Sequence, residues 1–113
     1  MRSSPEEALS QLNKWKSESA TLYVASTGLL TFWFVGRVSH ASLAESHFCI
    51  ESINPKDFLL SINLHHASFE FSDARFDEYH QFFSPQRAQI DFAAMLIVHL
   101  ENGTRVAIAE LNE

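Results

Sequence analysis

The sequence predicts a mainly β (α+β) domain, with one N-terminal helix packed on a bent antiparallel sheet or a small barrel of about five or six strands. Three observations predict it. A stretch near the N-terminus has helical apolar spacing and a capping signature. Almost everything after it falls into strand-length apolar or alternating runs. Within the longest alternation the apolar residues change phase: Phe58, Leu60, Ile62 and Leu64 are even, Ala67, Phe69 and Phe71 are odd, and His65-His66 stands between them. Strand side chains alternate faces with period two, so a slip of one residue requires an extra residue, a sharp bend or an exchange of buried face. The strand of residues 58–71 is therefore expected to be bulged or bent at His65-His66.

The helix begins at Ser4-Pro5-Glu6-Glu7: Ser4 suits the cap, Pro5 the first helical position, and Glu7 completes an S-x-x-E capping box. Ala8, Leu9, Leu12 and Trp15 form its apolar stripe, with Trp15 as the anchor onto the sheet, and the helix is expected to end near residues 17–19. Strands follow at 21–26 and 29–41. In the second, Leu30, Phe32, Phe34, Gly36, Val38 and His40 share one face, and Gly36 suits a bend or a close backbone approach. The opposite face carries Thr31, Trp33, Val35, Arg37 and Ser39, so its first half calls for a cover, either the helix or another subunit. Residues 41–45 read as a turn and 47–53 as a strand with Phe48 and Ile50 inward. Asn54-Pro55-Lys56-Asp57 then reverses the chain into the bent strand. Residues 72–89 have no clear period and exceed the usual connection length. Residues 92–100 are apolar on both faces, as in a central strand or one buried by a partner, and Asn102-Gly103 marks the hairpin into 104–111.

At 113 residues the chain is expected to be one domain, 1–113, able to bury a core without metal or disulfide staples. Ten Phe against three Gly and three Pro predict a core dominated by aromatic burial. The formal charge of −6 is opposite in sign to the footprint that phosphate backbones select, which disfavours nucleic acid as a partner. A single cysteine, Cys49, excludes an intramolecular disulfide; the polar, helical N-terminus lacks the apolar run of a secretory signal, and no apolar run is long enough to span a bilayer as a helix. The expected setting is the cytoplasm, with no membrane association.

The helix-first, strongly bent antiparallel order, with Gly28 and Gly36 around the second strand, resembles the layout of Sm-like barrels over residues 5–71. The resemblance concerns the fold only, because the acidic and amide residues that line that family's RNA-binding loop are not matched in residues 39–45; no site residue is carried over. A PilZ-like six-stranded barrel is similar in general layout, without its arginine-rich signature.

Candidate chemistry gathers around the phase change. His65, His66 and Glu70 resemble the ligand run of cupin barrels, in which H-x-H is followed by a carboxylate; here the histidines are adjacent, and only a bulge could turn both to one side. His47 and Cys49, two apart on a strand, share a face and could address one ion. The stretch 73–80 adds Arg75 with Asp, Glu, Tyr and His, an inventory suited to acid–base work but equally to a solvated loop. The ligand-site candidates are thus His65, His66, Glu70 and Arg75, with no catalytic residue assigned. No grouping offers three or four well-spaced ligands with a second shell, so no resident metal and no cofactor are expected.

The function expected from these residues is a small, non-enzymatic ligand-binding or protein-interaction module that self-associates as a homodimer or higher oligomer. The alternatives are a small-barrel metal-binding protein or enzyme using His65, His66 and Glu70, and, further down, an Sm-like RNA-binding ring.

Overall fold

The computed structural model describes residues 2–28, 32–54, 58–72 and 92–111. Its elements are β1 (Arg2–Ser3), α1 (Pro5–Ser17), β2 (Leu22–Thr27), β3 (Trp33–Ser42), β4 (His47–Asn54), β5 (Leu59–Asn63), a 3-10 turn (Leu64–His66), β6 (Ala67–Ser72), β7 (Phe92–Leu100) and β8 (Arg105–Leu111). The strands form one antiparallel sheet in the order β1-β6-β7-β8-β2-β3-β4-β5. Among the described residues the ladder is not closed, which makes this a mainly β fold with an N-terminal helix rather than a continuous barrel. The strand count exceeds the expected five or six for two reasons: the two-residue β1 adds to β6, and the predicted 58–71 strand is cut into β5 and β6.

That cut is the expected bend. Asn63 caps the 3-10 turn by accepting the His65 N–H at 2.9 Å, and the Leu64 N–H donates to the Ser46 carbonyl at 2.8 Å. The turn redirects the chain from β4, the neighbour of β5, to β7, the neighbour of β6. Both apolar sets consequently enter the same core: Ile62 and Leu64 from one side of the turn, Phe69 from the other. A straight strand would have turned one set to solvent.

Ser4 and Glu7 form the reciprocal capping box, and Ala8, Leu9, Leu12 and Trp15 are all buried. α1 packs on β3 and β6, where Trp15 is fully buried and its Nε1 donates to Glu110 Oε1 at 2.8 Å. Leu22, Val24, Phe34, Phe48, Leu96 and Ile108 complete this core. On the opposite face a second buried cluster joins Tyr23, Ala25, Met95, Ile97, Ala107 and Ala109, so β2, β7 and β8 are buried on both sides. The two-faced reading of β7 holds, and it extends to β2 and β8.

Two glycines are required where they stand. A Cβ on Gly36 would lie 2.4 Å from the Glu51 carbonyl oxygen, at a register shift between Val35 and Gly36. Gly103 takes φ +88° to close the β7–β8 turn, in which Leu100 N–H donates to Thr104 O and Thr104 N–H to Asn102 Oδ1. The reversal between β4 and β5 is bridged by Ser52 N–H to Phe58 O at 2.8 Å; its residues 55–57, together with 29–31 of the predicted second strand, lie outside the described residues.

Candidate functional site

The outer face of β3, β4 and β5 is built by alternation. Phe34, Val38, Phe48, Ile50 and Ile62 are buried, which leaves Trp33, Arg37, Glu51, Ile53, Leu59, Ser61 and Asn63 on the other side. Trp33, Ile53 and Leu59 are large apolar residues exposed at 49, 40 and 58%. They come from three neighbouring strands and end at β5, the last strand of the sheet among the described residues. Arg37 and Glu51 face each other in register between them. Trp33 also stacks on Tyr23 with ring centroids 5.9 Å apart, which covers part of the half-face that called for a cover. By contrast Ile97 is 5% exposed, so the outer face of the final hairpin is already buried within the chain.

At the other end of the same face stands a group of ionisable side chains that periodicity alone misplaces. Strict alternation puts His40 inward with Gly36 and Val38, but the register shifts between Val38 and His40, so that Val38 pairs with Ile50 and His40 with Cys49. Ser39 is the extra residue of this bulge, and its hydroxyl donates to the Cys49 carbonyl at 3.3 Å. Residues directly opposite in a ladder share a face, so the bulge moves His40 outward while Ala41, opposite Phe48, turns in. The turn Leu43–Ser46 then closes with Ser46 at φ +57°, and Glu45 N–H donates to the Ser42 hydroxyl at 3.2 Å. As a result His40 Nε2 lies 2.8 Å and His47 Nδ1 3.8 Å from one atom, Glu45 Oε2.

The residues singled out from sequence are placed differently. Glu70 does not meet His65 or His66; its Oε1 lies 2.6 Å from His99 Nε2, a partner delivered by β6–β7 register, since Ser68 pairs with His99. His66 Nδ1 lies 3.2 Å from Glu101 Oε2 on the β7–β8 turn, and His65 is exposed. His65, His66 and His99 do line one open groove of about 290 Å³ with Ser68 and Glu101. Cys49 Sγ points to Ser61 Oγ at 3.5 Å rather than toward His47, so the His47–Cys49 pairing is replaced by His47 with Glu45 and His40. Arg75 and the 73–80 stretch lie outside the described residues.

The signal for the hairpin group was the spacing H-x4-E-x-H across a predicted turn, which becomes a constellation only once the bulge reverses the face of His40. Among the described residues no helix is long and apolar enough to cross a membrane. No protein-family model, curated protein or solved structure matches the chain.

Proposed function

We propose that this protein is a non-enzymatic protein-interaction module of the reducing cytoplasm that self-associates through the β5 edge. The observation that carries the reading is the composition of that edge. β5 is Leu-Leu-Ser-Ile-Asn, without a charge or a proline, and Leu59 is the most exposed of the large apolar residues beside it. Edge strands of stable monomers are ordinarily guarded by charge, proline or a bulge, because their unpaired N–H and C=O groups template pairing with another chain. A second copy docked antiparallel across a two-fold axis satisfies both edges at once and sets the exposed Leu59 of each copy against the other. The net charge of −6 opposes association only weakly, since charges beyond a Debye length of about 8 Å are screened at physiological salt, and β5 itself is uncharged.

The free thiol of Cys49 suits the proposed compartment. In general layout the proposal keeps the likeness to helix-first small barrels of the Sm-like or PilZ-like kind, supported by the bent passage from β5 to β6. The acidic balance argues against a nucleic-acid ring.

Light scattering or sedimentation equilibrium on the wild type and on Leu59→Glu tests the reading. At tens of micromolar, the order at which weak association becomes visible, the wild type is expected to be a dimer and Leu59→Glu a monomer with an unchanged far-UV dichroism spectrum. A monomeric wild type, or a dimer indifferent to Leu59→Glu, refutes it.

A further inference from the structure

We propose that His40, Glu45 and His47 form a binding site for a divalent transition metal of the zinc class at the tip of the β3–β4 hairpin. The ligand atoms of the three residues lie within 4.8 Å of one another. Two imidazole nitrogens and a carboxylate oxygen are the donor set of three-ligand zinc sites, which leave a fourth position to water. Their borderline softness selects zinc, cobalt, nickel or copper over calcium and magnesium, which prefer oxygen ligands.

The distances decide whether this set can close on an ion. Metal–ligand bonds of about 2.0–2.1 Å in tetrahedral geometry place neighbouring ligand atoms about 3.3 Å apart. The His40–Glu45 separation of 2.8 Å must widen and the His47–Glu45 separation of 3.8 Å must shorten, each by about half an ångström, and the two imidazole nitrogens, in a set that spans 4.8 Å, must close by up to about 1.5 Å. Side chains exposed at 40, 60 and 32% for His40, Glu45 and His47 can make such shifts by small torsional changes without disturbing the core.

The backbone beneath them is held. Ser42 fixes the Glu45 amide, Leu64 N–H fixes the Ser46 carbonyl, and the Ser39 bulge sets the face of His40. An ordinary surface ion pair is the competing account, and the molecule provides the comparison. Among the described residues His99–Glu70 and His66–Glu101 are one-to-one contacts, whereas at the hairpin two imidazoles 4.8 Å apart at their centroids converge on a single carboxylate oxygen. A cation shared by all three groups is the ligand that such convergence fits. The site is independent of the β5 edge proposed for self-association.

The test uses untagged full-length protein stripped with a chelator, titrated with zinc chloride by calorimetry and with cobalt(II) by visible absorption. One equivalent of zinc and the d–d bands of a low-coordinate cobalt centre are expected. His40→Ala, His47→Ala and Glu45→Gln should each weaken zinc binding by about tenfold or more, whereas His66→Ala and His99→Ala should leave it unchanged. Far-UV dichroism and the urea midpoint check that each variant is folded. Absence of binding by the wild type up to about 1 mM zinc, a free-energy floor near 4 kcal/mol, would overturn the proposal. So would binding that survives in the folded double variant His40→Ala/His47→Ala, or that is lost with His66→Ala.

Discussion

Ser39 and Gly36 do their work through the backbone. Ser39 is the extra residue that puts His40 opposite Cys49, and Gly36 lets the Glu51 carbonyl approach to a distance that no side chain would allow. The atom that meets a new Cβ at Gly36 is backbone oxygen, 2.4 Å away, and a ladder carbonyl cannot swing aside as a flexible side chain can. Gly36→Ala is therefore expected to cost about 1–3 kcal/mol, the range of overpacking in a filled interior. Urea denaturation measures it, and a loss below about 0.5 kcal/mol, the size of an ordinary surface substitution, would show that β3 and β4 can separate freely there.

Among the elements, the 3-10 turn Leu64–His66 matters most to the architecture. It moves one strand from the β4 side of the sheet to the β7 side, and it is tied down by the Asn63 side chain and the Ser46 carbonyl. Asn63→Ala removes the acceptor of the His65 N–H and should cost about 1 kcal/mol, as the loss of a helix cap does. Hydrogen exchange offers a local readout: the His65 amide should exchange faster while amides of β2 and β8 stay protected. Equal protection of His65 in both proteins would mean that the turn is held by packing of Leu64 and Ala67 alone. Because the same Ser46 carbonyl lies in the β3–β4 turn, loosening Leu64 would also reach the hairpin that bears Glu45.

At the scale of the molecule, α1 is the one α-helix among the described residues and covers one face of the sheet, so its anchor carries an unusual share of the stability. Trp15 is fully buried between α1 and the sheet. Trp15→Ala should cost about 3–5 kcal/mol, a large part of the about 5–15 kcal/mol that holds a typical domain folded. Trp15→Phe keeps most of the packing and forfeits the Nε1–Glu110 hydrogen bond, which is worth about 1 kcal/mol. Thermal unfolding of the pair separates the contributions. If Trp15→Ala melts within a few degrees of the wild type, the helix is an accessory to the fold and the sheet sustains its own core.

Local physics was enough for the sequence to determine the helix with its capping box, the alternation that buries Phe34, Phe48 and Ile50, the double-sided strand β7 and the bend at residues 64–66. Each follows from residues within a few positions of one another, where cap, period and turn chemistry act. The bend was legible because four apolar residues before His65-His66 and three after it demanded one core. What the candidate residues touch was decided by tertiary structure: Glu70 meets His99, 29 residues further along, through the register of β6 and β7, and His66 meets Glu101 across a hairpin turn. The hairpin site escaped periodicity for a sharper reason. A β-bulge costs the chain one residue of phase, and no composition rule locates it when the bulged residue is an ordinary serine. Strand pairing alone, by matching Val38 to Ile50 and His40 to Cys49, turned His40 toward Glu45 and His47.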